Sequence, residues 1–348
     1  MTLQNNFSMK NKLVLWLFTG GFFVFGMVVV GGITRLTGSG LSITEWKVVT
    51  GVVPPLNEVQ WNESFDQYKQ IPQYKLLNSN FTLHDYKYIF FWEFIHRFFG
   101  RMIGVVFLIG FVYFYSKKAI DKKLMPQLVF MFVLGGIQGF LGWYMVSSGL
   151  IENIRVSHIR LAIHLTFAFI TFGYVFWVAL KQIYPERQSN VDGLTKYRTL
   201  AKCLLGLVIL QVIYGAFVAG TKAGWTYNTW PKMGDEWVAA SVGFAWAHDG
   251  ISSLWNNIAT VQFIHRNIAY TILLVIIFLL WKKEKEALFI TSHKQAIYFL
   301  VMLIFVQVIL GILTLLAGVP IWMGVLHQAI AFCVFAATIY FLHRLSYK

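Results

Sequence analysis

The chain has 348 residues, of which 57% are hydrophobic, 18% aromatic and only 13% charged. That balance excludes an ordinary soluble domain, a disordered chain and a disulfide scaffold, and it points to membrane-spanning helices. The net charge of +14 suggests nucleic acid at first sight, but its distribution along the chain excludes that partner.

Apolar runs predict eight spans, at 13–33, 90–115, 124–146, 158–180, 199–220, 260–281, 295–317 and 320–343. The first follows Lys10 and Lys12, exceeds the apolar core of a cleaved signal peptide and has no small-residue cleavage site after it. It is therefore expected to remain as an anchor. With both termini placed in the cytoplasm, the inner segments hold 17 Lys and Arg against 5 Asp and Glu, whereas the outer connections hold 9 of each. This asymmetry is the positive-inside rule, so membrane lipid is the expected surrounding and no nucleic acid is expected. Cys203 and Cys333 fall within spans of different halves, and neither long outer loop contains a cysteine.

In chain order, the first span carries Gly26-x4-Gly31 and leads into an outer loop, 34–89, that contains Trp46 and Trp61. Within that loop, Pro55 to Gln70 reads as a short amphipathic helix lying on the membrane surface. The second span opens with Phe94-Ile95-His96-Arg97, the third contains Gln138-x-x-Leu141-Gly142, and the fourth has His164 ahead of Ala168-Phe169. The fifth span carries Gly215-x4-Gly220, an offset of 189 from the first, and is followed by a tryptophan-rich outer loop, 222–258. The sixth and seventh spans repeat the second and third at an offset of 169, as Phe263-Ile264-His265-Arg266 and Gln307-x-x-Leu310-Gly311. The eighth places His327 ahead of Ala331-Phe332, 163 residues after the matching elements of the fourth. Four spans per copy is an even number, so both copies insert with one orientation. The expected fold is an all-α membrane protein of eight transmembrane helices, arranged as two parallel four-helix repeats, 1–180 and 199–348.

The histidines carry the chemistry. His96, His164, His265 and His327 each stand about six or seven residues into a predicted span, roughly 10 Å below the outer boundary at 1.5 Å per residue. Within each half they come from different helices running in the same direction. Facing imidazoles at matched depth are a haem ligand set, whereas a tetrahedral zinc site would need further ligands. His158 is the alternative to His164 in the first half, and His84, His248, His293 and His343 have no counterpart in the repeat.

The two halves differ three residues before the first histidine of each pair, where Glu93 faces Gln262. A carboxyl one helical turn from His96 is a candidate proton-transfer group, and ionisable residues within spans are functional candidates. The competing reading is a carboxylate neutralised by Arg97 or Arg101. Arg35, Arg97, Lys222 and Arg266 are candidate contacts for haem propionates. On these residues alone, a diheme b-type electron-transfer protein is the main alternative to an enzyme acting on haem, with a haem exporter third.

The segments Gly31-Gly32-Ile33-Thr34-Arg35-Leu36-Thr37-Gly38-Ser39-Gly40-Leu41-Ser42, Glu93-Phe94-Ile95-His96-Arg97-Phe98-Phe99-Gly100-Arg101, Ala219-Gly220-Thr221-Lys222-Ala223-Gly224 and Asn228-Thr229-Trp230-Pro231-Lys232-Met233-Gly234 resemble the haem A synthase family. The resemblance runs from about 13 to 343. It implies oxidation of a haem O methyl group to formyl through a hydroxymethyl intermediate. It also implies Glu93 as the catalytic carboxylate, substrate haem between His96 and His164, and a haem b cofactor between His265 and His327. The setting it implies is the bacterial cytoplasmic membrane, with haem O synthase and cytochrome oxidase assembly factors as partners. The loops lack the cysteine pairs of some bacterial members, which makes the chain similar to the mitochondrial-type class. Magnesium-binding aspartate clusters of a prenyltransferase are absent from the sequence.

Overall fold

A computed structural model of the protein describes residues 2–46, 51–150, 154–186 and 193–347. Residues 47–50 of the first outer loop and 187–192 between the halves lie outside the described residues. The chain is helical from end to end: α1 (Thr2–Leu36), α2 (Glu58–Tyr68), α3 (Pro72–Leu77), α4 (Leu83–Ser116), α5 (Met125–Leu150) and α6 (His158–Ile183) make up the first half. The second half contains α7 (Leu194–Thr221), α8 (Ala240–Asp249), α9 (Ser253–Asn256), α10 (Ile258–Lys285), α11 (Thr291–Leu316) and α12 (Ile321–Arg344). Among the described residues, eight of these helices (α1, α4, α5, α6, α7, α10, α11 and α12) are long and apolar enough to cross a membrane.

The helix starts are written in capping residues. Thr82 and Asp85 form a reciprocal capping box on α4, Ser157 caps α6, and the Asn257 side chain accepts from the backbone N–H groups of Ala259 and Thr260 on α10. The capping box sets the start of α4 seven residues before the predicted span. The helix extends beyond its most apolar stretch, and the first long loop packs on those added turns.

Helices α1, α4, α5 and α6 pack as one bundle, and α7, α10, α11 and α12 as a second. The bundles meet along α6 with α7, α1 with α12 and α6 with α12. Aromatic rings fill this seam: Phe169 and Phe332 lie 5.1 Å apart between centroids, and Phe172 and Phe332 lie 4.2 Å apart. Phe169 and Phe332 stand five residues after His164 and His327, so the seam core lies beside both histidine-bearing helices.

Both long loops lie at one end of the bundles, here termed the loop end. The expected amphipathic helix exists as α2, and its aromatic face packs on α4. Phe65 and the wholly buried Tyr68 pack against Tyr86 of α4, and Trp61 packs against Phe90. Burial on a neighbouring helix accounts for its hydrophobic face. In the second loop Trp237 and Trp246 are exposed, at 68% and 57%.

Equivalent contacts of α1 and α7 fall 184 residues apart, which replaces the 189 read from the glycine pairs. Gly38 and Lys222 both take the left-handed conformation just past their helices, at φ +70° and +60°. Gly31 and Gly215 both lie against a histidine ring.

Candidate functional site

Each of the four repeated histidines is built against a glycine of the adjacent helix. A Cβ added at Gly31 of α1 would lie 3.1 Å from His96 Nε2, and one at Gly142 of α5 would lie 3.2 Å from His164 Cε1. In the second bundle, a Cβ at Gly215 of α7 would lie 3.4 Å from His265 Cε1, and one at Gly311 of α11 would lie 2.8 Å from His327 Cε1. At Gly31, Gly142 and Gly311 a side chain would crowd the ring, whereas at Gly215 a methyl would only touch it.

A glutamine one turn before the glycine holds three of the four rings. Gln138 Nε2 lies 3.3 Å from His164 Nδ1 and donates to the His164 carbonyl at 3.2 Å. Gln211 Nε2 lies 3.3 Å from His265 Nε2, and Gln307 Nε2 lies 3.3 Å from His327 Nε2. At the corresponding place in α1 stands Met27, so His96 has no glutamine from that helix. His96 and His164 lie within electrostatic reach of each other, as do His265 and His327. His158 belongs to neither pair: its backbone sits against Gly220 and its ring against Phe217, on the seam with α7.

Glu93 is 2% exposed and is saturated with donors. Its Oε2 accepts from Ser42 Oγ at 2.7 Å and the Ile43 N–H at 2.8 Å, and its Oε1 accepts from Arg97 Nη2 at 2.6 Å. Arg97 also donates to the carbonyls of Ile43 and Glu45, both at 2.8 Å. The second half repeats this arrangement with neutral chemistry. Gln262 Nε2 donates to the Ala223 and Tyr227 carbonyls, and Arg266 donates to the carbonyls of Tyr227 and Lys232 and to Gln262 Oε1. In both halves these two positions latch the segment leaving the preceding helix, and only the first latch carries a carboxylate.

The remaining predicted cations gather at the seam. Arg35 of α1 crosses to the second half and donates to the Ala219 and Gly220 carbonyls. Lys222 is held in a left-handed conformation that favours glycine, near Arg35 and Arg155; burial and these two like charges push its pKa down. Arg266 keeps a buried Nε–H without a partner.

The slots also hold polar atoms with no partner: the Oε1 atoms of Gln138, Gln211 and Gln307, and Nδ1 of His265 and His327. Buried polar groups are ordinarily hydrogen-bonded, so such a concentration marks room for a polar or metal-bearing group. Among the described residues, no group of three or more His, Cys, Asp or Glu comes together. A pair of imidazoles per slot suits a group that needs only two axial ligands, and haem iron is such a group.

The family of cytochrome oxidase assembly proteins, COX15-CtaA, matches residues 14–339. The chain belongs to that family. A curated haem A synthase of Flavobacterium psychrophilum is 48% identical over 342 residues, covering 97% of this chain and 100% of the relative. A haem A synthase of Parvibaculum lavamentivorans is 44% identical over 97% of this chain and 95% of its own length. One of Nitrosospira multiformis is 42% identical over 98% and 96%. This member of the COX15-CtaA family is an integral membrane protein.

Sequence reasoning used Gln138 and Gln307 to find the repeat but did not assign them to the site; it named Ser42 only within the family resemblance and passed over Gln211 and Arg155. A signal for the glutamines was present. Gln-x3-Gly occurs at 138–142, 211–215 and 307–311, and spacing of four places both residues on one helix face. Ser42 had no comparable signal, because a loop residue meets Glu93 only through the tertiary fold.

Proposed function

We propose that this chain is a haem A synthase, converting the methyl group of haem O to formyl through a hydroxymethyl intermediate. The observation that carries the reading is the pair of matched two-histidine slots, of which only the first has a carboxylate in its latch. The near full-length likeness to curated haem A synthases supplies the reaction. Substrate haem O is assigned to the slot of His96 and His164, and a resident haem b to that of His265 and His327. Haem b, when bound, supplies one-electron redox chemistry.

The protein residues have separable tasks. Imidazoles resting on glycines present lone pairs in fixed orientation, and the glutamines restrain three of the rings. Oxidising a methyl carbon releases protons, and Glu93 is the carboxylate one turn from His96. Ser42, the Ile43 N–H and Arg97 fix the orientation of its two oxygens. Arg35, Arg97, Lys222 and Arg266 are the cations assigned to propionates; the three arginines also hold backbone carbonyls.

The long loops are assigned to the outer face and both termini to the cytoplasm, on the charge asymmetry of the connections. The two halves, 1–180 and 199–348, are read as parallel copies with outer loops 34–89 and 222–258. The lack of loop cysteines supports reading the chain as mitochondrial-type, with no part for a loop thiol in the reaction. Haem O synthase and oxidase assembly factors are the expected partners. The diheme electron-transfer reading is not favoured, because equivalent sites would need no Glu93/Gln262 difference.

The test is expression in a host that makes haem O but no haem A, with extracted haems separated by reversed-phase chromatography. Haem A or its hydroxymethyl precursor is expected. Unconsumed haem O, in a host where a known synthase works, overturns the reading.

A further inference from the structure

The strip of α1 that seats His96 is thin on two sides. Gly31 and Gly32 are adjacent, so about 100° of helix rotation separates the faces they open. On one face, a Cβ at Gly31 would lie 3.1 Å from His96 Nε2 of α4. On the other, a Cβ at Gly32 would lie 3.2 Å from Gln328 Oε1 of α12. Gln328 fills that space and donates from Nε2 to the Val28 carbonyl of α1 at 2.7 Å, one turn before Gly32. In sequence it directly follows His327. The same two residues of α1 therefore touch the His96 ring and a side chain from the axial helix of the second slot.

The matching seam between α6 and α7 is built without an amide at this level. At offsets of 184 for α7 against α1 and 163 for α12 against α6, Ala216 replaces Gly32 and Leu165 replaces Gln328. The two helices of each seam run in opposite directions, so contacts recur one turn apart. In one seam Gly324 meets Leu36 and Gln328 meets Gly32. In the other Leu161 meets Gly220, which sets Leu165 at the level of Ala216. Ala216 is 1% exposed and Leu165 packs against the core, so that pair is apolar. Apolar packing is thus enough to close a seam of this shape, and the Gln328–Gly32 pair adds a directed bond to it. What α1 lacks gives that bond a task. Met27 stands where Gln211 holds His265, so α1 offers His96 a seat and no glutamine.

We infer that Gln328 is a positioning residue for the first slot: its amide fixes α1 against α12 and so sets the seat of His96. This rests on the assignment of His96 and His327 as axial ligands made above. An interhelical hydrogen bond inside a bilayer shifts an equilibrium by about three- to tenfold. Without it α1 is free to settle differently against α12, and the ring resting on Gly31 turns with it. The second slot is spared, because His327 leaves α12 about 100° from Gln328 and has its own partners in Gly311 and Gln307.

The experiment uses the full chain in nanodiscs, with haem b loaded in the second slot and haem O titrated into the first by absorbance. Electron paramagnetic resonance of the ferric forms is the second readout, because low-spin g values follow the angle between axial imidazole planes. The double variant Gln328→Leu/Gly32→Ala copies the apolar pair of the other seam, so it keeps the packing and removes the bond. It is expected to weaken haem O binding about three- to tenfold and to shift the first-slot signal. The second-slot signal and haem content are expected to match wild type. Should the double variant lose the second-slot spectrum and fail to fold, Gln328→Met keeps side-chain length and removes only the amide, with the same shifts expected. A folded variant of either kind that keeps the wild-type first-slot signal overturns the positioning role and leaves ordinary seam packing. A shift confined to the second slot also overturns it and assigns Gln328 to His327. Haem O binding indifferent to His96→Ala overturns the substrate assignment and the positioning role with it.

Discussion

The two halves present their histidines in the same way and differ in what surrounds them. Gly31 and Gly142 in one, and Gly215 and Gly311 in the other, seat the rings by one device. Around that shared frame the second half is filled and neutral: Gln262 latches its loop, Gln211 and Gln307 hold both rings, and Leu273 and Ile304 close the space below. The first half is charged and less restrained: Glu93 sits in the latch and Met27 replaces a ring-holding glutamine. A site that keeps its ligand is served by packing and restrained side chains. A site that must admit, transform and release a ligand is served by one less restrained ring and a carboxylate.

The bluntest way to break this comparison is to remove ligands. His265→Ala is expected to remove the second haem and, with it, conversion by at least about 100-fold, since even outer-shell partners of metal sites cost up to about that much. His96→Ala should leave the second-slot spectrum unchanged; pyridine haemochrome stoichiometry separates the two. A common loss of both haems would show that the slots are not independent.

Next in size is the latch. Glu93→Gln matches the residue of the second half and keeps side-chain volume, but sets an NH2 where one carboxylate oxygen accepts from Ser42 and Ile43 or from Arg97. Haem content is expected to stay near wild type and thermal stability to fall modestly, while conversion falls about 100-fold, as for loss of a general acid or base. Full conversion would reduce Glu93 to a structural latch. Arg97→Leu leaves the carboxylate buried without its cation and is expected to cost about 3–5 kcal/mol in denaturant unfolding.

The glycine seats predict a graded series. Gly311→Ala, whose methyl would come within 2.8 Å of the His327 ring, is expected to weaken second-haem binding about tenfold or more; Gly215→Ala, at 3.4 Å, should barely change it. Equal effects would mean that the rings are not fixed by these contacts. Met27→Gln would give His96 the partner it lacks. A several-fold slower release of product, seen in single-turnover kinetics, is expected.

The smallest effect concerns pH. Burial with Arg35 and Arg155 lowers the pKa of Lys222, so it loses its proton below the ordinary lysine range. Its charge, and the attraction it offers a propionate, is complete below that lowered pKa and disappears as pH rises through it. Haem affinity should therefore decline on the alkaline side, and Lys222→Met should flatten that decline at a lower plateau. An unchanged profile would remove Lys222 from the propionate contacts.

How much of this was legible beforehand follows from the range of each interaction. Eight apolar runs, the doubled Phe-Ile-His-Arg and the Glu93/Gln262 difference stand in the sequence, because hydropathy, repetition and helix spacing are local properties. The offset between α1 and α7 was misread from glycine spacing, because glycines serve different neighbours. Gly31 seats His96, whereas Gly220, five residues past Gly215, admits the backbone of His158. The loop helix at 58–68 was foreseen, but its apolar face was assigned to lipid; only the fold showed Tyr86 and Phe90 beneath it.

The sequence alone thus determined that the protein is helical and membrane-spanning, with four histidines in two corresponding pairs and one intramembrane carboxylate. These follow from chain-local chemistry. Tertiary structure decided that Glu93 is bound by Ser42, Ile43 and Arg97, and that three rings have glutamine partners while the fourth has none from α1. Those facts depend on which helices approach each other and at what distance, and no spacing along a single chain encodes that.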